Sequence, residues 1–313
     1  METLIPSWTD YELLDSGAGK KLERFGEFTL IRPEPQARWS ARLSRQRWGI
    51  ADGEFARTKA DQPGAWRFGG QMPARWPIQR NSLKFWIQPA PSGHVGVFPD
   101  QACHWDWIAD AIERVPRPIR VLCLFGHTGS ATLAAAAAGA EVTHVDASRK
   151  AVASARANQS LSGLSDRPIH WVVEDALTFV LREARRGNKY DALMLDPPRF
   201  GRGPSGEIWK LDKALPALLI ECKKVLSRTP AYLLLNVYST VLKRGRIEKE
   251  AADLRTYMSG VLQNSRTVLA TGELALEDSG RRRISASVFA RAEFNFGAHA
   301  PGNRPREQCT QRR

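Results

Sequence analysis

Short apolar runs alternate with helical patterns of apolar residues between positions 119 and 262. A short apolar run bounded by turn residues is typical of a strand buried on both faces. Such runs predict strands at Ile119–Phe125, Glu141–Val145, Ile169–Val173, Tyr190–Leu195 and Ala231–Val237. The segments between and after them predict helices at Thr128–Ala138, from the N-cap Ser148 to Leu161, up to Arg186, and at Leu211–Leu226 and Ile247–Leu262. This alternation predicts a parallel sheet with helices on both faces.

The C-terminal part of the chain departs from this alternation. Two strand-like runs, Val268–Glu277 and Arg283–Phe294, flank Asp278-Ser279-Gly280, which is typical of a hairpin turn. We therefore expect an α/β fold with a doubly wound, mostly parallel seven-stranded sheet and a C-terminal antiparallel hairpin. The hairpin distinguishes this fold from a plain dinucleotide-binding domain.

The first 100 residues have a different texture, with many Pro, Gly and Trp residues and no long helical period. Short strands are predicted there, including Glu27–Arg32 and Leu83–Gln88, and a helix at Trp105–Arg114 leads into the alternating part. We expect three parts: a small β-rich N-terminal region at 1–100, the main domain at 101–296, and a basic, flexible tail at 297–313.

The composition is that of an ordinary globular protein, with 42% hydrophobic and 25% charged residues among 313. No apolar run approaches the roughly 20 residues that span a bilayer, and the first residues do not resemble a secretory signal. The cysteines are scattered without the spacing of metal ligands, at Cys103, Cys123, Cys222 and Cys309. We therefore expect a cytoplasmic protein with reduced thiols and no metal site.

A net charge of +13 favours a polyanionic partner such as RNA. Between Arg38 and Lys84, ten Lys and Arg residues face only three acids. Four tryptophans lie in the same stretch, and a fifth, Trp86, follows just after it. Cations can contact phosphates, and exposed aromatic rings can stack on unpaired bases. The N-terminal region is thus a candidate RNA-facing surface, although such a stretch can also be an ordinary solvated surface with tryptophans in the core.

The sequence Asp196-Pro197-Pro198 directly follows the predicted strand Tyr190–Leu195. Two prolines cannot extend a central strand, because each lacks a backbone N–H for the ladder. The chain therefore leaves the sheet at Asp196, where open α/β sheets bind ligands. A carboxylate with fixed carbonyls can hold a planar amino-bearing group there. The Gly-rich residues 201–206 after Phe200 predict a flexible, basic loop, in which Phe200 can stack on a flipped base or simply pack the loop. The alternative is a strand that merely ends at a Pro-Pro turn.

Further signals follow the first three strands. Phe125-Gly126-His127-Thr128-Gly129-Ser130 lies between a strand and an Ala-rich helix, but it is not the GxGxxG pattern of dinucleotide sites. Asp146 follows about 20 residues later, where a carboxylate can bind ribose hydroxyls. Glu174 and Asp175 end the third strand. Acids at three strand ends favour a nucleoside-type ligand, although each can also be a helix N-cap.

Four motifs of this chain, taken in order, resemble those of the class I S-adenosylmethionine-dependent methyltransferases. They are Phe-Gly-x-Thr-Gly, Val-Asp-Ala-Ser, Glu-Asp-Ala and Asp-Pro-Pro-Arg-Phe. The branch they resemble contains bacterial large-subunit ribosomal RNA methyltransferases, and the likeness covers about residues 94 to 291. The resemblance implies S-adenosylmethionine (SAM) as cofactor. Methionine would lie against Phe125, Gly126 and Gly129, ribose against Asp146, and adenine against Asp175. The other cofactor-binding residues that it implies are Asp100, Gln101, Thr128, Ala147, Ser148, Ala176 and Asp196.

Base nitrogen methylation is the favoured chemistry. Cytosine-methylating relatives carry a nucleophilic Cys after the fifth strand, whereas this chain reads Asn236-Val237-Tyr238 there. Cys103 is the only spare candidate, and guanine N7 stays open as a target. We therefore predict a methyltransferase acting on RNA, with ribosomal RNA favoured and Asp196, Pro197, Pro198 and Phe200 as catalytic residues. The alternatives are a non-enzymatic RNA-binding or ribosome-assembly factor on the same fold and, more distantly, an NAD-dependent oxidoreductase.

Overall fold

The computed structural model describes residues 1–56, 64–238, 244–262, 267–294 and 309–312. Its strands are β1 Glu2–Ile5, β2 Tyr11–Gly17, β3 Lys20–Phe25, β4 Phe28–Pro33, β5 Gly53–Ala56, β6 Ala65–Phe68, β7 Trp76–Arg80, β8 Leu83–Ile87, β9 Arg120–Leu124, β10 Glu141–Asp146, β11 Ile169–Val173, β12 Ala192–Leu195, β13 Phe200–Arg202, β14 Ile208–Lys210, β15 Tyr232–Tyr238, β16 Thr267–Glu277, β17 Arg283–Phe294 and β18 Thr310–Arg312. Its helices are α1 Arg45–Gly49, α2 Ala102–Glu113, α3 Ser130–Ala137, α4 Arg149–Leu161, α5 Ala176–Arg186, α6 Leu211–Val225 and α7 Arg244–Leu262. A 3-10 turn, Pro99–Gln101, precedes α2.

Nine of the described strands form the central sheet, in the order β11-β10-β9-β12-β15-β17-β16-β1-β18. The five strands from β11 to β15 are parallel, and β17 inserts antiparallel between β15 and β16. The predicted fold class is therefore confirmed. Two edge strands come in addition, β1 parallel to β16 and β18 antiparallel to β1.

Both faces of the central strands are covered, which explains their continuous apolar sequences. In β12, Leu193 and Leu195 belong to the core that packs against α5, α6 and α7. Ala192 and Met194 alternate with them and belong to the core under α2 and α3. The strand order reverses between β9 and β12. The helices that follow these two strands, α3 and α6, pack on opposite faces of the sheet, which leaves a crevice for a ligand at the carboxyl ends of the strands.

The N-terminal region forms a five-stranded sheet, β2-β3-β4-β5-β6, and a ribbon, β7–β8. It shares a core with the main domain, in which the rings of Trp8 and Trp105 lie 5.6 Å apart. Leu276 and Ile284 of the C-terminal hairpin belong to the same core. The β-rich character matches the prediction, and this shared core fixes the N-terminal sheet beside the crevice.

The described residues differ from the sequence-based expectations in three places. The Gly-rich stretch after Phe200 was predicted to be a flexible loop, but it forms the antiparallel ribbon β13–β14. Thr310–Arg312, within the predicted flexible tail, pair with β1, while residues 297–308 and 313 lie outside the described residues. Cys103 and Cys309 form a disulfide, so the expectation of four reduced thiols is wrong for this pair. Among the described helices, none is long and apolar enough to cross a membrane.

Candidate active site

The loop between β9 and α3 turns sharply and packs closely against its neighbours. Its backbone has positive φ at Phe125 (59°), His127 (47°) and Gly129 (87°). A Cβ on Gly126 would lie 2.4 Å from the ring of His144, so this position accepts no side chain. Gly129 caps α3 without any side-chain hydrogen bond, which leaves backbone N–H groups of the first turn free to bind a ligand.

The hydroxyl of Thr128 anchors this loop. Its hydroxyl donates to the carbonyl of Gly96, and its carbonyl accepts a 2.9 Å hydrogen bond from Asn158 Nδ2. The side chain is buried as a result. Next to it, the ring of His127 packs on Phe98, with ring centroids 5.3 Å apart.

Asp146 ends β10 and is held rigidly by the backbone around it. Oδ2 accepts the N–H of His127 at 2.9 Å, and Oδ1 accepts the N–H of Ser148 at 2.8 Å. Ala147 lies between these contacts, and the Ser148 hydroxyl caps α4 by accepting the N–H of Ala151 at 3.2 Å. Each carboxylate oxygen can accept a second hydrogen bond, so the half-buried Asp146 can still bind a diol.

Asp175 is the N-cap of α5, which was the alternative to a ligand-binding role in the sequence analysis. Its Oδ1 accepts the N–H of Thr178 at 2.9 Å and the Thr178 hydroxyl at 3.1 Å, which fixes the start of α5. Ala176 is the first residue of that helix and is buried. The neighbouring Glu174 pairs with Arg182. A ligand would therefore meet Asp175 through its second oxygen.

Asp196 follows β12 at the mouth of a cavity between the glycine loop, the 3-10 turn and the strand ends. Its Oδ1 accepts a 2.7 Å hydrogen bond from Asn236, and its Oδ2 accepts a long one, 3.4 Å, from Gln101. One side of the carboxyl is open to the cavity, while the protein packed around the other side raises its pKa to about 7. The nearby charge of Asp100 raises it further, and the Asn236 hydrogen bond opposes both effects.

The structure brings only some of the predicted residues onto the cavity wall, namely Gln101, Phe125, Gly126, Thr128 and Asp196. Asp100 is buried in the 3-10 turn, and this burial raises its pKa to about 6. Asp146, Ala147, Ser148, Asp175 and Ala176 do not line the cavity itself and follow the ends of β10 and β11, next to it in the sheet. The predicted residues therefore form one continuous edge, from β11 to β12.

The residues after Asp196 form a rigid corner. Pro197 is buried, and the carbonyl of Pro198 accepts a 2.6 Å hydrogen bond from the indole of Trp209. Trp209 also packs on Phe125, with ring centroids 4.8 Å apart. Phe200 does not pack in this corner, since 73% of it is exposed on β13. One of the carbonyls expected to hold a ligand is thus already used, whereas the ring of Phe200 is available.

None of the described cysteines is a good nucleophile. Cys123 lines the cavity, but burial raises the pKa of its thiol to about 12. Burial also raises the thiol pKa of Cys222. Cys103 is bonded to Cys309 and does not line the cavity. A thiolate is the reactive form, so the site favours chemistry without a covalent adduct. Among the described residues, no group of three or more His, Cys, Asp or Glu residues is placed to hold a metal ion.

The residues at this edge fit S-adenosylmethionine, the cofactor implied by the resemblance. Its sulfonium and ammonium groups are cationic, and Asp196 with Asp100 supplies acidic groups. Its ribose hydroxyls match the two oxygens of Asp146, which retain free acceptor capacity. Its carboxylate matches the uncapped N-terminus of α3. Gly126, where no side chain fits, keeps the loop backbone open to this ligand.

Sequence reasoning missed Asn236 and its partner His104 as site residues, and it missed Trp209, which packs beside the site on Phe125. The sequence analysis considered Asn236 only as a position at which no nucleophilic Cys is found. His104 lines the cavity from α2, and its ring accepts or donates a 3.2 Å hydrogen bond with Asn236. The usable signal was a polar residue inside the apolar strand Ala231–Val237, because a buried amide needs partners.

Comparison with known proteins supports the family that the sequence resembles. The pattern of the S-adenosylmethionine-dependent methyltransferases matches residues 38–231, more than half of the chain. A crystal structure of a SAM-dependent methyltransferase from Agrobacterium tumefaciens is 41% identical, covers 93% of both chains and superposes with a TM-score of 0.86. The chain is also 30% identical to ribosomal RNA large subunit methyltransferase I from Aeromonas salmonicida, over 39% of this chain. The corresponding Klebsiella pneumoniae (strain 342) protein is 30% identical over 42% of this chain.

The two ribosomal RNA methyltransferases are much longer than the region that they share with this chain. The matched region spans 30% of the length of the first and 32% of the second. The match to the Agrobacterium structure, by contrast, extends over nearly the whole of both chains. Taken together with the family match, this likeness shows that the chain belongs to the S-adenosylmethionine-dependent methyltransferases.

Proposed function

We propose that this methyltransferase transfers the methyl group of SAM to a base nitrogen of RNA, with ribosomal RNA as the favoured substrate. The observation that carries the proposal is the placement of Asp196, whose carboxyl opens into the cavity beside the glycine loop. The matched relatives are named as ribosomal RNA methyltransferases, which supports RNA as the substrate class. An RNA substrate also supports the expected cytoplasmic location.

The cofactor is proposed to lie along the edge from β9 to β11. Phe125, Gly126 and Gly129 would line its methionine part, with Asp146 at the ribose and the free oxygen of Asp175 at the adenine amino group. Thr128 and Ser148 act here by shaping the loops, since their hydroxyls are used within the protein. When bound, SAM supplies an electrophilic methyl carbon on a sulfonium.

Asp196 is proposed to hold the acceptor base. An amino or ring N–H of the base donates to Oδ2, and the carbonyl before Pro197 provides a second acceptor. This alignment directs the nitrogen lone pair at the methyl carbon, which matters most for an in-line displacement. The N–C bond forms as the C–S bond breaks, the bonding pair stays on sulfur, and the nitrogen proton passes to Asp196 and then to solvent. A carboxyl with a pKa of about 7 is well suited to accept and release that proton.

Phe200 is proposed to stack on the target base. It is exposed on the ribbon β13–β14, which begins four residues after Asp196. The ribbon is tied to the site by Trp209, which packs on Phe125. Because the ribbon is already fixed, little conformational entropy is lost when the exposed ring stacks on a base. Base–aromatic stacking contributes about 1–3 kcal/mol.

Replacing the cysteines should not affect methyl transfer if a base nitrogen is the target. We expect Cys103→Ser, Cys123→Ser and Cys222→Ser each to keep kcat within about threefold, because none supplies a thiolate. Cys309→Ser is the control for Cys103→Ser, since both remove the same disulfide. The measurement is turnover with labelled SAM. A covalent complex trapped on 5-fluorocytosine RNA would contradict nitrogen methylation.

A basic surface formed by Arg42, Arg45 and Arg47 is proposed to contact RNA phosphates. All three side chains are exposed on or just before α1. Asp15 anchors this segment, because it accepts the N–H of Leu43 and the indole N–H of Trp48, each at 2.8 Å. The surface is therefore fixed relative to the N-terminal sheet. Arg42 also donates to the carbonyl of Gly280 at 3.0 Å, and its side chain remains exposed.

Changing Arg42, Arg45 and Arg47 together to Ala should weaken RNA binding and reduce its salt dependence. Each lost phosphate contact should lower the log–log salt slope by about 0.7–0.9. The affinity for SAM should stay unchanged, because the cofactor edge lies on the main domain. A matched control replaces Arg185, Arg186 and Arg228, three exposed cations of the main domain. If both triple variants lose the same affinity, only the total charge matters and the proposed surface is wrong.

The substrate class is tested by methyl transfer from radiolabelled SAM to total RNA, ribosomal RNA, transfer RNA and protein. We expect ribonuclease-sensitive incorporation, with ribosomal RNA as the best acceptor. Incorporation only into protein, or into none of these, would contradict the proposal.

A further inference from the structure

A row of three buried polar side chains leads through the protein to Asp196. Arg291 on β17 donates from Nε to Nδ1 of His104 at 3.0 Å. Nε2 of His104 lies 3.2 Å from Oδ1 of Asn236, and Nδ2 of Asn236 lies 2.7 Å from Oδ1 of Asp196. Arg291, His104 and Asn236 are exposed by only 8%, 1% and 1%. The three elements β17, α2 and β15 thus contribute one residue each to a row that ends at the carboxylate of Asp196.

Only one direction of hydrogen bonding satisfies every member of this row. A guanidinium has donors and no acceptor, so Nδ1 of His104 must accept from Arg291. Nε2 of a neutral imidazole then carries the proton and donates to Oδ1 of Asn236. This fixes the orientation of the amide, so its NH₂ group donates to Asp196. Burial, and then the charge of Arg291, hold the pKa of His104 well below its usual value, which keeps the ring neutral.

The cation that starts the row is held firmly in place. Arg291 donates from Nη2 to the carbonyl of Cys103 at 3.0 Å, and its guanidinium lies 4.7 Å from the ring centre of Phe289 and 5.1 Å from that of Trp107. Burial lowers its pKa to about 9, so it remains charged at neutral pH. Among the described residues, no carboxylate pairs directly with Arg291, whose partners are His104 and the carbonyl of Cys103. Burying an arginine in this way is costly, and apolar residues of similar size would serve stability as well.

We propose that Arg291, His104 and Asn236 form a positioning relay that reserves Oδ1 of Asp196 for the protein and turns Oδ2 toward the base. The proposal rests on the role of Asp196 stated above. The relay keeps the carboxylate in one rotamer, and its dipoles all point their positive ends at Oδ1. Among the residues that the structure describes, Oδ2 accepts only a 3.4 Å contact, from Gln101, so it remains the oxygen that faces the acceptor.

The relay also affects the charge state of Asp196. The other titratable group that acts on this carboxyl is Asp100 in the 3-10 turn. Cys123 on β9 also lines the cavity, but its thiol is neutral, with a pKa raised by burial to about 12. Among the influences on Asp196, the hydrogen bond from Asn236 lowers the pKa, whereas burial and Asp100 raise it. Removing the relay should therefore raise this pKa and move the acid limb of the kcat profile to higher pH.

The test compares kcat, its pH profile and SAM affinity in four full-length variants. Asn236→Ala and His104→Phe should lower kcat about 10- to 100-fold, the effect of losing a hydrogen bond to a charged group, and shift the acid limb upward. His104→Gln should restore most of kcat, because its amide oxygen can accept from Arg291 and its NH₂ group can donate to Asn236. Tyr190→Phe is the control, since it removes a buried 2.9 Å hydrogen bond to Glu183 just before the other end of β12. It should change neither kcat nor the profile.

Calorimetric SAM binding and melting temperature establish that each variant is folded. The relay is overturned if folded Asn236→Ala retains kcat, if kcat falls without a shift of the acid limb, or if His104→Gln is as impaired as His104→Phe. An Asp196→Asn variant separates the two proposals. Full activity of Asp196→Asn would contradict the role of Asp196 itself. An inactive Asp196→Asn with an unimpaired Asn236→Ala would contradict the relay alone.

Discussion

Asp196→Asn should lower kcat for RNA methylation by at least about 100-fold while the affinity for SAM changes little. The carboxylate is proposed to hold the acceptor base and to take its proton, and a positioned acid or base contributes typically 10²- to 10⁴-fold. Asparagine keeps the shape and one acceptor oxygen but cannot take a proton. In the wild type, kcat should rise with pH as Asp196 ionises, because its raised pKa of about 7 leaves it protonated in acid. Asp196→Asn should lose this rise.

Asp191→Asn provides the matched control for this prediction. Asp191 directly precedes β12, at the end far from the cavity, where it accepts hydrogen bonds from Arg117 at 2.9 Å and from the N–H of Arg120 at 3.0 Å. Its loss should reduce stability but leave kcat and the pH profile unchanged. Steady-state turnover and calorimetric SAM titration make the comparison. Wild-type kcat in Asp196→Asn, or an equal loss of kcat in both variants, would contradict the assigned role.

The second large effect is expected at the cofactor. Asp146→Ala should weaken SAM binding by about 1.5–3 kcal/mol, which corresponds to about 10- to 150-fold in Kd, because ribose would lose hydrogen bonds to a charged acceptor. The same change frees the N–H groups of His127 and Ser148 that shape the loop. Titration calorimetry with SAM and with S-adenosylhomocysteine measures the loss, and it should be similar for both because they share the ribose.

Glu141→Ala is the control on the same strand. Glu141 begins β10 and makes only partly exposed pairs with Arg120 at 3.7 Å and His170 at 3.3 Å, and such pairs contribute little. Its Kd for SAM should match the wild type. An unchanged Kd in folded Asp146→Ala would show that the ribose lies elsewhere, and tight NADH binding without affinity for SAM would contradict the cofactor edge as a whole.

The central strands could be predicted from the sequence because both of their faces are buried. A run such as Ala192–Leu195 is apolar throughout and ends at a Pro-Pro corner, so both its existence and its end are visible in the sequence. The edge strands Glu2–Ile5 and Thr310–Arg312 carry no such pattern, being four and three residues long. Their pairing depends on bringing the two ends of the chain together. The Cys103–Cys309 disulfide, with a separation of 206 residues, was hidden for the same reason.

The ribbon after Phe200 was missed because its composition resembles a loop. Glycines at 201, 203 and 206 and a proline at 204 normally punctuate structure. The pairing of Phe200–Arg202 with Ile208–Lys210 is supported instead by Trp209, which is buried against the site. A tertiary contact thus decided a conformation that local sequence left undetermined.

The sequence predicted those residues of the candidate site that directly follow a predictable strand. Asp146 and Asp196 could be placed because an acid directly after a buried strand must lie at the carboxyl edge of the sheet. Their partners could not, since Asn236 reaches Asp196 across 40 residues and Arg291 reaches His104 across 187. Such contacts are set by sheet order, and the insertion of β17 between β15 and β16 is what brings Arg291 to this place.

The most direct test of the account is mass spectrometry of nucleosides from RNA incubated with SAM and either wild-type protein or Asp196→Asn. The account predicts one methylated nucleoside whose methyl group is on a base nitrogen, formed by the wild type and nearly absent with Asp196→Asn. RNA from cells with and without the protein should differ in the same nucleoside. The appearance of 5-methylcytosine, of a ribose-methylated nucleoside, or of no methylated nucleoside in any RNA would contradict it.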